Sequence, residues 1–199
     1  MSEHEPEFLA EIRNIQMLIG RNVLVFQNVE QLLKVINNYK KGSGTPENIL
    51  KRKSRIDELS LGRLTDPKVM EKIDTKFNKQ DKNNLYINFE NLINDQELEK
   101  SIKFFNDIND DRNLLIHNFT AKWPLDKVDN REAAKQWLLN QYETIIKHRD
   151  ILVTSCKLIV EGTNIMNDFY KSEDNIKIVN NYLLENGAVS IQLEYITKY

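Results

Sequence analysis

The chain has 199 residues, 40% of them hydrophobic and 29% charged, a composition that excludes a disordered or membrane-embedded polypeptide and suits one soluble domain with a core of its own. Only 6 glycines and 4 prolines occur, too few for a turn-rich all-β fold, and the single cysteine, Cys156, excludes an internal disulfide. A net charge of -2 argues against the broad basic surface that large nucleic-acid binders carry.

The first residues, Ser2-Glu3-His4-Glu5-Pro6-Glu7, are acidic and polar, unlike a secretory signal, and no apolar run approaches membrane-spanning length. The expectation is a cytoplasmic protein without a membrane partner. Ile12, Ile15, Ile19, Val23, Phe26, Val29, Leu33 and Ile36 then recur at spacings of three and four, which predicts one long amphipathic helix. Lys40-Lys41-Gly42 supplies a cationic last turn and a glycine stop, and Gly42-Ser43-Gly44-Thr45-Pro46 reads as a linker opening the next helix. Leu50, Ile56, Leu59 and Leu61 mark a shorter helix ending near Gly62. Lys51-Arg52-Lys53-Ser54-Arg55 on that helix reads as a solvated face. Thr65-Asp66-Pro67 is a helix start, a capping side chain followed by proline in the first turn.

Residues 78–84 carry no periodicity and read as a loop, and Tyr86-Ile87-Asn88-Phe89 alternates too briefly to argue a sheet. Asp95 can cap a helix striped by Leu98, Ile102, Phe105 and Ile108. After Trp123-Pro124-Leu125 another long helix is predicted over about 129–168, with Ala133, Trp137, Leu138, Tyr142, Ile145, Leu152, Cys156, Ile159 and Met166 on its apolar face. A helix over 174–185, a break at Asn186-Gly187 and a strand through Val189, Ile191, Leu193 and Tyr195 complete the chain. The fold expected is all-α: an up-and-down helical bundle over residues 1–170, with a small C-terminal helix and strand extension over 171–199.

The chemistry concentrates in Asn109-Asp110-Asp111-Arg112-Asn113-Leu114-Leu115-Ile116-His117-Asn118-Phe119. Of the three histidines, His4 lies in a charged terminus and His148 in the charged, exposed run Lys147-His148-Arg149. Only His117 has an apolar neighbourhood with an arginine and an amide close by. Arginine offers a planar fork of donors that fits a phosphate, and histidine exchanges a proton near neutral pH. With Asn113 they form a minimal kit for cleaving RNA without a metal or any other cofactor. On an α-helix Asn113 and His117, four apart, share a face. Asn109 or Asp110 extends that polar stripe, while Ile108, Leu115 and Phe119 form the core stripe and Arg112 falls to one side. The plainer alternatives are a salt bridge from Arg112 to Asp110, Asp111 or an acidic residue on another helix, and a hydrogen-bonded interhelical His117.

Arg112, the polar Asn113 after it and His117 five residues on resemble the signature of the HEPN superfamily of all-helical domains. The long helices before and after the motif also resemble that family. The resemblance implies a metal-independent endoribonuclease that dimerises to bring two motifs into one cleft. His117 would move protons at the 2′-oxygen or the leaving 5′-oxygen, Arg112 would stabilise charge on the phosphate, and Asn113 would orient the histidine or the phosphate. The implied partners are RNA, a second copy of the chain and an antitoxin protein. The role implied is that of a toxin or antiphage effector. Some toxins of the family carry a tyrosine two residues after the histidine that their antitoxin modifies with AMP; this chain has Phe119 there, which has no hydroxyl to modify. The alternative reading is a non-catalytic helical module that binds a partner protein or a nucleotide through the same cleft.

Overall fold

The computed structural model describes residues 5–77, 87–90, 95–173, 176–177 and 181. The chain is all-α in class. In order its elements are α1 (Glu5–Lys40), β1 (Lys41–Gly44), α2 (Pro46–Asp57), α3 (Leu61–Leu64), α4 (Pro67–Phe77), β2 (Ile87–Glu90), α5 (Asp95–Asn113), a π-helical turn (Leu114–Asn118), α6 (Phe119–Lys122) and α7 (Val128–Lys171). The chain divides into two compact units, residues 1–156 and 157–199, and the division falls inside α7.

The stripe on α1 becomes core. Ile15, Phe26, Val29 and Leu33 are buried, and Ile19, Val23 and Ile36 pack against them. Removing such side chains from water is the main driving force for the fold. Cys156 sets its Sγ 3.7 Å from the carbonyl of Leu32, and burial pushes its thiol pKa up, as suits an inert packing residue.

The region after α1 departs from its sequence reading in three places. First, Gly42-Ser43-Gly44 is not a linker. It forms β1, antiparallel to β2, with Lys41 opposite Glu90, Gly42 opposite Phe89, Ser43 opposite Asn88 and Gly44 opposite Ile87. A glycine-rich run has little strand propensity of its own, and a partner more than forty residues away is invisible to local periodicity. Second, the helix expected to end near Gly62 stops at Asp57, and α3 restarts at Leu61. Ile56, Leu59 and Leu61 are buried as expected, Leu64 joins them, and Leu50 is exposed. The N-cap Ser60 makes no side-chain bond; instead Glu30 of α1 reaches over, its Oε2 accepting the Leu61 N–H at 2.9 Å. Third, the basic run on α2 is not simply a solvated face. Arg52 is buried, its Nε 2.7 Å from Asp74 Oδ1. Its Nη2 donates to the carbonyl of Asn37 at 3.1 Å, one of the end carbonyls that α1 leaves unsatisfied.

The helix starts behave as read. Thr45 Oγ1 accepts the Asn48 N–H at 3.3 Å, with Pro46 in the first turn of α2. Asp66 Oδ1 accepts the Lys68 N–H at 2.9 Å as α4 begins.

Side-chain pairings fix how the three long helices run within the first unit. Glu11 pairs with Arg131, Asn22 with Gln141, and Cys156 lies against Leu32, so α1 and α7 are parallel. Phe104 stacks on His148 and the Asp111 carbonyl receives Gln141, so α5 runs antiparallel to α7. This is the up-down-up order of a helical bundle. Along α7 the buried positions are Arg131, Ala134, Leu138, Gln141, Ile145 and Leu152. Ala134 rather than Ala133 faces the core, one residue away from the face read from the sequence. Val128, Trp123 and Pro124 mark the joint before it, where proline forces the preceding residue out of helical geometry.

In the second unit the described residues are the last turns of α7 and helical turns at 176–177 and 181, with Leu158, Val160 and Ile165 exposed. The rest of the helix read over 174–185, the strand read over 189–195 and the loop read over 78–84 lie outside the described residues. Among the described residues no helix is long and apolar enough to cross a membrane.

The burial phase of α7 has a direct check. Leu138 is wholly buried and its neighbour Leu139 is 40% exposed. Leu138→Ala is expected to lower unfolding free energy by about 2–5 kcal/mol, and Leu139→Ala by no more than about 0.5 kcal/mol. Urea midpoints of the two variants measure the contrast; equal losses would show the face to be misassigned.

Candidate functional site

Arg112 and Asn113 are the last two residues of α5, and His117 lies in the π turn that follows. In a π turn the backbone bond runs from residue i to i+5 instead of i+4, so the chain rotates less about the axis per residue. Four-residue neighbours stay in line, which keeps Asn113 and His117 on one face as the sequence suggested. Five-residue neighbours come much closer to alignment than on an α-helix. His117 is thereby carried back toward the side of Arg112, which an ideal α-helix would have left well apart. The turn closes at Asn118, whose φ of -124° and ψ of 2° lie outside the helical region.

The side chains divide as this geometry demands. Leu115 and Phe119 are buried with Ile108, so the apolar stripe is a core stripe. Phe119 packs its ring 5.2 Å from Trp123 and 6.1 Å from Trp137, and Trp123 lies 4.8 Å from Trp137. These aromatics are packing residues. Asn109, Arg112 and Asn113 are half-buried, and Ile116, His117 and Asn118 are exposed. His117 is therefore open to solvent rather than held between helices, and among the described residues no hydrogen bond engages its ring.

Asn113 contacts the arginine beside it. Its Oδ1 accepts from Arg112 Nη1 at 3.2 Å. Since guanidinium only donates, the amide must turn its oxygen toward the arginine. Among the described residues no acidic side chain pairs with Arg112, and Asn113 is the hydrogen-bond partner of its guanidinium.

The electrostatics beside this pair are acidic. Asp111 is half-buried and its carboxyl pKa is raised, first by burial and then by the neighbouring carboxylates Asp107 and Asp110, with Lys122 acting in the opposite sense. Asn109, at the start of the polar stripe, sits against α3: a Cβ on Gly62 would approach Asn109 Oδ1 to 2.9 Å. The close approach of α3 to α5 therefore depends on the missing side chain at Gly62. The carboxylate of Glu30 is occupied with Lys34 and the α3 N-terminus. Among the described residues no cluster of three or more potential metal ligands lies together.

His148 departs from its expected exposure. It is half-buried, with its ring 4.3 Å from that of Phe104. Burial lowers its pKa below the ordinary 6.5, while Asp107 pulls it the other way. The residue was read as exposed because Lys147 and Arg149 flank it, yet flanking residues on a helix point elsewhere; only the packing of α5 on α7 reveals the contact.

Comparison with protein-family models, with curated proteins and with solved structures finds no match to this chain.

The pH dependence of folding follows from the two displaced groups. His148 favours its neutral form in the fold, so its contribution to stability is complete above its unfolded value, near 6.5, and is lost as pH falls through the lowered folded value. Asp111 has a raised carboxyl, so its contribution is complete below 3.8 and is lost as pH rises through the raised folded value. His148→Phe keeps a ring against Phe104 and removes the titration. The wild type should lose stability relative to this variant as pH is lowered from 7.5 to 5, read by urea midpoints at each pH. The Asp111 contribution is common to both chains and cancels in the difference. A constant difference would remove His148 from the account.

Proposed function

We propose that this protein is a metal-independent endoribonuclease of HEPN type that cleaves single-stranded or looped RNA. The observation that carries the reading is the π turn after α5. It keeps His117 exposed and brings it round toward Arg112, whose guanidinium is held by Asn113 and has no acidic partner among the described residues. A base and a phosphate-binding cation five residues apart across that turn are the parts such a cleavage needs.

In the proposed reaction the 2′-oxygen attacks phosphorus and the bond from phosphorus to the 5′-oxygen breaks. The products are a 2′,3′-cyclic phosphate and a 5′-hydroxyl. An imidazole takes the 2′-OH proton, an imidazolium gives a proton to the departing 5′-oxygen, and Arg112 stabilises the charge that builds on the non-bridging oxygens. A homodimer with two copies of the motif in one cleft would supply both protonation states at once and double the positive charge. That doubling matters in a chain with a net charge of -2 and with Asp107, Asp110 and Asp111 close by. The RNA must be unpaired at the cut, because the 2′-oxygen has to swing into line with the leaving group. A toxin or antiphage effector is the biological role proposed. Phe119 is buried in the aromatic cluster, so an antitoxin would act by binding and not by modifying this position.

The competing reading is a non-catalytic helical module, favoured by the acidic net charge and by the carboxylates beside Arg112. One assay separates the two. Wild type, His117→Ala and Arg112→Ala are incubated with a mixed RNA pool in EDTA, and the ends of any fragments are typed. Loss of His117 should slow cleavage about 10²–10⁴-fold, and loss of Arg112 about 10²–10³-fold. His117 is exposed, so its replacement should leave the melting temperature almost unchanged. Equal inactivity of all three folded chains on RNA would defeat the ribonuclease reading and leave the binding module.

A further inference from the structure

Two amide side chains are buried between the long helices: Asn22 of α1 is 0% exposed and Gln141 of α7 is 4% exposed. Burying amides is unfavourable unless their donors and acceptors are met, and here they are met in one direction. Arg21 Nε donates to Asn22 Oδ1 at 3.2 Å. Asn22 Nδ2 donates to Gln141 Oε1 at 3.0 Å and to the Leu138 carbonyl at 2.9 Å. Gln141 Nε2 donates to the Asp111 carbonyl at 3.0 Å. Arg21, which lies 3.7 Å over the Tyr142 ring, can only donate, so each amide orientation follows from the one before it. The chain of donors begins at a cation and ends at a backbone carbonyl one residue before Arg112.

That carbonyl has a special place. Asp111 is among the last four residues of α5, where the α-helical ladder gives way to the π turn. Three residues on, at Leu114, the backbone changes register from i+4 to i+5 bonding. Without an outside donor, the nearest N–H for the Asp111 carbonyl is that of Leu115, four residues on, and bonding to it is α-helical geometry. Gln141 donates to the same carbonyl from outside the helix and so competes with that N–H for it. An inserted side chain is a recognised cause of a break in the helical ladder.

We propose that Asn22 and Gln141 are positioning residues for Arg112 and His117: their buried amides hold the segment 114–118 in its π register, and the π register sets the histidine beside the arginine. The proposal rests on the ribonuclease reading for its catalytic consequence but not for its structural one. Neither amide touches substrate. A relaxation of 114–118 to α-helix turns His117 away from Arg112 while leaving both residues intact.

Gln141→Glu in the full chain is the test. Glutamate keeps the size and still accepts from Asn22, but when ionised it has no donor for the Asp111 carbonyl; when protonated it regains one. The expected result is a fall in kcat of about 10²-fold at pH 8 with KM little changed. The deficit relative to wild type should narrow as pH falls and the buried carboxyl takes up a proton. Amide hydrogen exchange should quicken over 114–119 and stay as in wild type over α1 and α2. The double variant Asn22→Leu with Gln141→Leu removes both amides together, which protects folding, and leaves the carbonyl without its donor. It should show the same kcat loss and the same local exchange, with no recovery at low pH.

Folded variants that cleave RNA like the wild type, with unchanged protection over 114–119, overturn the proposal. So does a loss of protection spread evenly over all helices, with activity falling only as the folded fraction falls, because that is the behaviour of a purely structural contact. If the wild type itself does not cleave RNA, the ribonuclease reading fails separately, and the exchange map still decides: unchanged protection over 114–119 overturns the positioning role, and selective loss there upholds it.

Discussion

The donor chain from Arg21 through Asn22 and Gln141 to the Asp111 carbonyl is the constraint on which the arrangement of the long helices turns. Apolar packing brings α1, α5 and α7 together, but apolar contacts are non-directional and tolerate sliding by a methylene or a small rotation. Two amides with no access to water tolerate neither. They are satisfied at one relative position of the three helices, and at any other they leave unpaired donors in a low-dielectric interior. The core therefore supplies the bulk of the stabilisation and the amides select the register.

The same chain of bonds links scaffold to chemistry. It ends at the junction where α5 gives way to the π turn, next to Arg112 and within six residues of His117. A rigid helix end is a better platform for acid-base chemistry than a loop, since proton transfer and phosphate binding both demand positions held to a fraction of an ångström. The site is small and its surroundings are acidic. The Asp111 carboxyl pKa is raised by burial and by the neighbouring Asp107 and Asp110.

Other polar contacts show the same economy of long-range capping. Glu30 serves the N-terminus of α3, Arg52 serves the C-terminal carbonyls of α1, and Arg131 holds Glu11 and the carbonyls of Leu125 and Asp126. The Glu30, Arg52 and Glu11 contacts reach in from another part of the chain, while the two Arg131 bonds to carbonyls span five and six residues. Sequence neighbours alone identify the Thr45 and Asp66 caps, because those bonds span two or three residues. They cannot identify caps that span fifteen or thirty-one.

What the amino-acid sequence determined by itself is the set of features that repeat with a local period. The helices over α1 and α7, the helix starts at Thr45 and Asp66, the burial of Ile108, Leu115 and Phe119, and the grouping of Arg112, Asn113 and His117 within two helical turns were all readable, because helical pitch and capping act over a few residues. The tertiary structure alone decided the pairing of Gly42-Ser43-Gly44 with a distant strand, the burial of Arg52 and His148, the choice of Ala134 over Ala133, and the π register of 114–118. Each of these depends on a partner far away in the chain. The last is the most consequential for function. Nothing between Asn109 and Phe119 reveals that the helix will change register there, since the donor that takes the Asp111 carbonyl is thirty residues away on α7.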